Sequence, residues 1–210
     1  LQHTEAIKRA VEAGLGIEAK IGCTQPRRVA ALSISRRIAE ELNVAWGRDR
    51  DNEAHLVKLL RELGRRRSRP LFVKLPPFRA DVEREVVLAL AAIAQEEGTD
   101  ALTVSNTVPV LEPRVSVGTG GLSGHALLEG TLTNVRQVRR ATGGAIPINA
   151  SGGISTAEEA LAAIEAGATT VQVYTGLVFR GPTIVGELTR GLGDALRSRR
   201  IDLAELVGTG

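Results

Sequence analysis

Three glycine-rich stretches of this 210-residue chain combine residue types and spacing that could do chemistry. They are residues 119–124 (TGGLSG), 151–155 (SGGIS) and 174–176 (YTG). Glycine lets main-chain N–H groups approach an anion closely, and the N-terminus of a following helix, here expected at Thr156 and Thr183, adds a favourable dipole. The turns therefore predict a phosphate-binding site. The alternative is that glycine merely permits tight turns between strands and helices.

Short β-branched strands, alternating with helices, must position these turns. The predicted strands are residues 71–75, 101–105, 146–150 and 170–174. Each is followed by an amphipathic pattern, which predicts helices over residues 82–93, 128–138, 157–164 and 184–192. This alternation is typical of βα units around a parallel sheet.

The N-terminal region contributes one more strand and further helices. Residues 17–22 are predicted as a strand, and residues 4–13, 26–42 and 54–63 as helices. Four strands plus this one are too few to close an eight-stranded barrel. The predicted fold class is therefore α/β, a partial (β/α) TIM-type barrel with parallel strands. A composition change at residues 45–52 (AWGRDRDN) divides the chain into residues 1–50, a helix–strand–helix segment, and residues 51–210, the half barrel.

The composition and charge of the chain limit the kinds of binding site that it can contain. The chain is 43% hydrophobic with a net charge of +3, which is typical of a soluble domain and does not by itself indicate nucleic-acid binding. A single cysteine, Cys23, excludes an internal disulfide and a multi-cysteine metal site. The three histidines have no ligand spacing, so no metal is predicted. We see no apolar run long enough to span a membrane and no leader, so a cytoplasmic location is expected.

The motifs of the second region resemble those of one family. The matching stretches are PLFVKLPPF (residues 70–78), VSNT (104–107), GGLSG (120–124), SGGIS (151–155) and AGATTVQVYTGLVFRGP (166–182). Through them, residues from about 54 to 208 resemble the C-terminal half of dihydroorotate dehydrogenase, the flavin enzyme of pyrimidine synthesis. The resemblance implies FMN as cofactor, dihydroorotate as substrate and orotate as product.

The resemblance also implies residue roles. Lys74 would lie against FMN and stabilise the electron-rich reduced flavin, and Ser105 would line the flavin. Asn106 and Thr107 would hydrogen-bond the carboxylate of the pyrimidine. The residues that would present backbone groups to the FMN phosphate are Gly124, Gly153, Tyr174 and Thr175.

Two of these side chains have alternative interpretations. Lys74 could extend from the strand end into solvent, and Asn106 could be a turn residue. If Lys74 lies inside a barrel, it should have a charged partner, because a strand position there is poorly placed for solvent.

The chain departs from the family pattern in two places. Asn149, Ala150 and Ser151 stand where the family usually has a glycine-rich run, and they add side chains near the phosphate turn. Cys23 follows a predicted strand in the order that places the family's catalytic base, which removes a proton from C5 of dihydroorotate. However, Lys20 and the following TQP stretch replace substrate-binding asparagines of the family. A small buried apolar residue is the alternative for Cys23.

Residues 11–47 resemble a different family, the segment of DEAH-box RNA helicases that contains motif Ia. In its TQPRR turn, Arg27 and Arg28 could contact RNA phosphates. The sequence contains no GxxxxGK[ST] loop, so it cannot hold ATP in the helicase manner. We favour the alternative, an amphipathic helix with solvated arginines, and do not expect nucleic-acid binding.

The predicted function is that of an FMN-dependent dihydroorotate dehydrogenase-like protein, of which only the flavin-binding half is present. Three alternatives stay open: a non-catalytic half barrel that binds phosphate or flavin, an engineered or recombined chimera, and an RNA-binding helicase fragment. An open parallel sheet has exposed edges, so completion by self-association or by a partner chain would be consistent with the sequence.

Overall fold

The computed structural model describes residues 51–114, 116 and 118–210. The helices in this part of the chain are α1 (Asp51–Arg66), α2 (Asp81–Glu96), α3 (Leu128–Ala141), α4 (Ala157–Glu165), α5 (Thr175–Arg180), α6 (Thr183–Arg199) and α7 (Leu203–Leu206). The strands are β1 (Phe72–Leu75), β2 (Ala101–Val104), β3 (Val108–Leu111), β4 (Thr119–Leu122), β5 (Ile148–Ser151) and β6 (Thr170–Gln172). A 3₁₀ turn spans His125–Leu127.

The described residues fall into two compact units. The smaller unit contains α1 and Glu96–Gly98. Within it, Arg61 donates from Nε and Nη2 to the carboxylate of Glu97 at 2.7 to 3.0 Å, and Arg67 donates to the carbonyl oxygen of Gly98 at 2.7 Å. The larger unit contains Phe72–Gln95 and Thr99–Gly210, and it includes every strand of the described part.

The larger unit is built on an open parallel sheet. Its strand order is β1-β2-β5-β6, so each strand lies beside the parallel strand that precedes it in the chain. Parallel strands that are consecutive in the chain are also neighbours in a (β/α) barrel. The described strands form part of such a barrel rather than a closed one. The α/β, parallel-strand, partial-barrel prediction is confirmed.

The strand register places residues of opposite character in alternating rows. One row is polar and joins Lys74, Thr103, Asn149 and Thr170. The next row along the strands is apolar and joins Leu75, Val104, Ala150 and Val171. Because successive side chains of a strand point to opposite faces, the two rows lie on opposite faces of the sheet.

Helices cover the apolar face. The side chains of Leu102 and Ile148 are fully buried, as are Val135 and Val138 of α3 and Ala160 of α4. Helix α3 contacts β2 and β5, helix α4 contacts β6 and α3, and helix α6 packs on α4. The hydrophobic core of this unit therefore lies between the sheet and the helices that follow its strands.

The structure differs from the prediction after β2. The predicted helix at residues 128–138 is present as α3, but β3 and β4, which were not predicted, lie between β2 and α3 in the chain and form an antiparallel hairpin in which Val108 pairs with Leu122. The glycines of 119–122 therefore belong to a strand, and only Ser123 and Gly124 of that stretch reach a turn. Pro109 and two paired glycines weaken the strand signal, because proline and glycine are rare inside strands.

Two short helices were also missed. The strand predicted at residues 170–174 ends at Gln172, because Tyr174 is the N-cap residue of α5. α7 begins after Asp202, which forms a capping box with Glu205. Helices of four to six residues carry too few turns to show an apolar period.

Several sequence-based predictions fall on residues outside the described part. These are the elements at residues 4–13, 17–22 and 26–42, the helicase-like turn and Cys23, which stay predictions. Among residues 51–114, 116 and 118–210, none of the helices has the length and apolar content needed to cross a membrane.

Candidate functional site

The strands of the parallel sheet end around a cavity of about 520 Å³. This volume lies within the usual range for small-molecule and cofactor sites. The cavity brings together all eight sequence-predicted site residues of the described part, namely Lys74, Ser105, Asn106, Thr107, Gly124, Gly153, Tyr174 and Thr175. Their individual roles stay predictions, but residues that are up to 101 positions apart in the sequence, from 74 to 175, do share one site.

The turn after β5 needs glycine for two reasons. Gly153 has a φ of +83°, which lies in the region that L side chains rarely adopt. A Cβ atom at Gly153 would also lie 2.5 Å from the backbone nitrogen of Leu128, at the start of α3. The backbone of this turn can approach α3 so closely only because no side chain intervenes.

The turn before the 3₁₀ segment is arranged similarly. Gly124 has a φ of +85°, and a Cβ there would meet Cγ2 of Thr175 at 3.3 Å. Thr175 is the first residue of α5. The backbone of the Gly124 turn therefore packs against the beginning of α5, and both line the same cavity.

The three turns leave backbone N–H groups without partners. The N–H groups of Gly124, Gly153, Thr175 and Gly176 make no hydrogen bond to the described part of the chain. The first N–H groups of a helix lack intrahelical acceptors, which explains Thr175 and Gly176. Unpaired donors at the wall of a polar cavity are suited to an anionic ligand.

A single carboxylate, that of Glu159 in α4, holds two of the turns in place. Its Oε2 accepts hydrogen bonds from the backbone N–H of Ser155 at 2.6 Å, the Ser155 hydroxyl at 2.9 Å and the backbone N–H of Thr156 at 3.0 Å. Its Oε1 lies 2.9 Å from Nδ1 of His125. Because Thr156 Oγ1 accepts in return from the Glu159 N–H at 3.2 Å, the N-terminus of α4 is a complete capping box.

The environment of Glu159 favours its ionised form. Burial, the largest single influence, acts to raise the pKa of this carboxyl. The hydrogen bonds from Ser155 and Thr156, together with the charge of His125, outweigh burial and lower the pKa below its ordinary value. Glu159 therefore stays a carboxylate and an acceptor over the physiological pH range.

Lys74 carries a cation into the cavity from β1. Although the residue as a whole is exposed, burial of its ammonium group lowers the pKa of Lys74 below its ordinary value. The charged partner expected from the sequence is not found: the ammonium group of Lys74 makes no hydrogen bond or ion pair within the described residues. A partly desolvated ammonium group without a counter-ion is available to an electron-rich ligand.

The segment after β2 adds polar groups to the cavity. The N–H of Ser105 donates to the carbonyl oxygen of Ser151 at 3.0 Å, and the N–H of Asn106 donates to that of Leu75 at 3.2 Å. Oδ1 of Asn106 accepts from the N–H of Thr107 at 2.8 Å, a local bond of the kind made by turn residues. Oγ1 of Thr107 is buried and has no hydrogen-bond partner in the described part of the chain. An unpartnered buried hydroxyl is suited to a polar ligand.

Asn149 does not lie where its sequence position suggested. Rather than adding bulk to the phosphate turn, its amide lies on the sheet face, where Oδ1 accepts from Thr170 Oγ1 at 3.1 Å. Ala150 faces the other way and is fully buried, and of the three substituted residues only Ser151 lines the cavity. The register explains this result, because only alternate residues of β5 share the polar face.

Sequence reasoning missed two basic residues of the cavity. Arg180, at the end of α5, donates from Nη1 to the carbonyl oxygen of Ser155 at 2.6 Å and pairs with Glu187. His125 follows Gly124 directly. His125 directly follows the matched motif GGLSG, and Arg180 lies within YTGLVFRGP, so proximity to a ligand-binding turn in the sequence was the available signal. In the described ranges, no three His, Cys, Asp or Glu side chains are grouped so as to hold a metal ion.

Comparisons with known proteins agree on one family. The family model of dihydroorotate dehydrogenase matches residues 41–196. The dihydroorotate dehydrogenase (quinone) of Erythrobacter litoralis is 43% identical over 144 residues, which are 67% of this chain and 41% of that protein. The protein of the same name from Brucella ovis is 38% identical over 162 residues, 75% of this chain and 42% of that one.

A solved structure gives the same result at the level of the fold. The ligand-free DHODH from Eimeria tenella matches with a TM-score of 0.64 and 31% sequence identity, over 75% of this chain and 50% of that chain. The chain spans about two fifths of the length of the curated relatives it matches. Because the family model covers most of the sequence, including every residue that lines the cavity, the chain belongs to the dihydroorotate dehydrogenase family.

Proposed function

We propose that the described residues form the cofactor-holding part of a flavin-dependent dihydroorotate dehydrogenase, with FMN as the flavin and with oxidation of dihydroorotate to orotate as the reaction. One observation carries the proposal: a cation, an unpartnered buried hydroxyl and three turns with free N–H groups line one cavity at the carboxyl ends of parallel strands. Cofactor sites of barrels lie at this end of the strands.

The residues fit the phosphate group of FMN. Gly124 and Gly153 form a cradle that a Cβ atom would obstruct, and Thr175 adds N–H groups at the beginning of α5. Phosphate oxygens accept hydrogen bonds from such backbone donors. In this proposal the three turns bind and orient the cofactor through its phosphate, while Tyr174 contributes a backbone group.

The other predicted site residues act near the flavin ring and the substrate in this proposal. When bound, FMN supplies the acceptor for the hydride. The ammonium group of Lys74 stabilises negative charge near the flavin and Ser105 lines it, while Asn106 and Thr107 bind the carboxylate of the pyrimidine. Cys23, which lies outside the described residues, stays the predicted base for the C5 proton.

The names of the curated relatives indicate a quinone as electron acceptor, and we extend this acceptor to the present chain. An exposed apolar surface supports the extension: Leu177, Val178 and Phe179 of α5 follow Thr175 and Gly176, and Phe179 is 83% exposed. An apolar ring system would gain by covering them. Faster anaerobic reoxidation of the reduced flavin by a soluble quinone than by NAD⁺ would support this acceptor, and the reverse would exclude it.

Other parts of the barrel have to come from elsewhere in this proposal. The described sheet ends at β1 on one side and at β6 on the other. We propose that a second copy of the chain or a partner chain covers these edges, and that residues 1–50 are a segment distinct from residues 51–210. Light scattering of the purified chain distinguishes a monomer from an oligomer.

A visible absorbance spectrum tests the central proposal. The full-length protein is mixed with FMN, desalted and measured anaerobically before and after addition of dihydroorotate. We expect flavin absorption to stay with the protein and to bleach with dihydroorotate. Retention without bleaching would leave a non-catalytic flavin-binding half barrel, and no retention at high FMN would overturn the proposal.

A matched pair of lysine variants links the result to the cavity. Lys74→Met removes the cation of the cavity, and Lys58→Met removes an exposed lysine of α1 that does not line it. Flavin affinity should fall in Lys74→Met and stay unchanged in Lys58→Met. Equal affinities in the two variants would separate Lys74 from the flavin.

A further inference from the structure

His125 lines the cavity beside the Gly124 turn and has no role in the function proposed above. Its Nδ1 lies 2.9 Å from Oε1 of Glu159. The Glu159 side chain is only 13% exposed, whereas the imidazole is 75% exposed. Nδ1 therefore lies beside a mostly buried carboxylate, while most of the ring, which lines the cavity, is open to solvent.

The contact with Glu159 decides which nitrogen can meet a ligand. A carboxylate oxygen 2.9 Å from Nδ1 favours the forms of the ring that carry a hydrogen on Nδ1, because a carboxylate can only accept. Nε2 makes no hydrogen bond to the described residues. In the neutral ring Nε2 is an acceptor and would repel an anion, whereas in the imidazolium it is a donor. Anion binding and protonation of the ring therefore favour each other.

The surroundings of the ring contain charges of both signs. Glu159 of α4 makes the direct contact. The other charged or titratable side chains that line the cavity are Lys74, Tyr174 and Arg180. Glu187 pairs with Arg180, and Glu129 and Glu158 lie in the first turns of α3 and α4. Arg180 directs Nη1 to Ser155 and Nη2 to Glu187, whereas the ammonium group of Lys74 and Nε2 of His125 have no partner among the described residues.

We propose that His125, held by Glu159, is a side-chain ligand of the cofactor's phosphate group and makes the site prefer FMN to riboflavin. This inference rests on the proposed function and specifies its phosphate subsite. The three glycine turns supply uncharged N–H donors, and His125 follows one of them directly. The imidazolium adds a charge-assisted hydrogen bond, which is stronger than a neutral one.

Titration calorimetry of the full chain tests the inference. FMN and riboflavin are titrated into the wild type and His125→Gln, at pH 6.5 and 8.5, in phosphate-free buffers. Because the phosphate of free FMN titrates in the same way for both proteins, the ratio of their affinities isolates the histidine. Two buffers of different ionisation enthalpy give the number of protons taken up at each pH.

We expect His125→Gln to weaken FMN binding about tenfold at pH 6.5 and by less than about threefold at pH 8.5, since histidine changes its charge over this range. Riboflavin affinity should not change, because riboflavin lacks the phosphate. Proton uptake on FMN binding should be smaller in His125→Gln. The charge-retaining variant His125→Lys should gain FMN affinity relative to the wild type from pH 6.5 to pH 8.5, because its side chain stays charged.

Arg140→Gln is the matched control, because it removes a positive charge at the far end of α3, away from the cavity. It should bind FMN like the wild type. If His125→Gln binds FMN as tightly as the wild type at pH 6.5, or loses riboflavin to the same degree, the inference is wrong while the proposed function stands. If the wild type binds neither flavin, the proposed function fails and the inference fails with it. Should His125→Gln not fold, a ratio of His125→Lys to wild-type affinity for FMN that is the same at both pH values would by itself overturn the inference.

Discussion

The two faces of the parallel sheet have opposite chemical character. The helix-covered face is lined by side chains that are at most 1% exposed, Leu102, Val104, Ile148 and Ala150. The other face presents a row of polar side chains, Lys74, Thr103, Asn149 and Thr170. Hydrogen bonds join this second row, from Thr170 Oγ1 to Asn149 Oδ1 at 3.1 Å and from Asn149 Nδ2 to Thr103 Oγ1 at 3.4 Å.

This difference separates the part of the molecule that holds the fold from the part that can hold a ligand. Parallel sheets are usually apolar on both faces, and barrel interiors are usually filled by bulky branched side chains. Here the face away from the helices buries little apolar surface, so it contributes little hydrophobic stabilisation. Its polar groups and the turns at its end remain available to a cofactor. Substitutions on the two faces should therefore have different consequences.

The largest expected effect is at Ile148, in the centre of the apolar face. Ile148→Ala removes fully buried methyl groups and leaves a cavity between sheet and helices, so it should lower the free energy of unfolding by about 2–5 kcal/mol. Asn149→Ala, the next residue on the opposite face, should lower it by only about 1 kcal/mol. Urea denaturation measures both values. Similar losses in the two variants would contradict the division between the faces.

A substitution at Gly153 tests whether the glycine turns, like the polar face, serve ligand binding more than stability. Gly153→Ala forces a Cβ against the backbone of Leu128, so we expect a loss of about 1–3 kcal/mol in stability and a larger proportional loss of flavin binding. Gly143→Ala is the matched control, because Gly143 also has a positive φ, +59°, but nothing lies within 4 Å of an added Cβ. The control should show only the conformational cost, about 1 kcal/mol. Flavin titration and urea denaturation of both variants check this, and a control that also loses flavin would weaken it.

The smallest expected effect, at Glu159, depends on pH. Because the folded-state pKa of Glu159 lies below its ordinary value of 4.5, its contribution is present above pH 4.5 and is lost as pH falls through the lower, folded-state pKa. Glu159→Gln should therefore lower stability at pH 7, by about 0.5–2 kcal/mol as for other lost caps, and the two proteins should converge under acid conditions. Denaturation at several pH values from 7 to 3 measures the difference. A gap that persists unchanged at pH 3 would show that ionisation of Glu159 is not the cause.

The sequence predicted the parallel strands and the cavity residues because their signals are local. Each buried strand is a short apolar run, and GGLSG, SGGIS and YTG stand beside the strand ends that meet at the cavity. The parallel arrangement of the strands then brings those ends together.

What the sequence could not supply depends on contacts across long distances. The Glu159 carboxylate contacts both His125 and Ser155, and the sequence around either of these residues does not predict its proximity to the other. Similarly, the polar face of Asn149 follows from strand register, and the β3–β4 hairpin follows from the pairing of two weak strands. The isolated ammonium of Lys74 was unexpected because desolvation without a counter-ion is a property of the assembled site.

The sequential strand order also has a consequence for how the chain assembles. The register partners Asn149 and Thr170 of β5 and β6 are 21 residues apart, whereas Leu102 and Ile148 of β2 and β5 are 46 apart. Closing the longer loop costs about 0.7 kcal/mol more in chain entropy, so β5, α4 and β6 should be the first part of the parallel sheet to form. Pulse-labelled hydrogen exchange should then show amides of β6 protected before those of β2, and the reverse order would contradict this. In that sequence of events, the Glu159 carboxylate and the Gly153 turn are in place before the strand that carries Lys74 arrives.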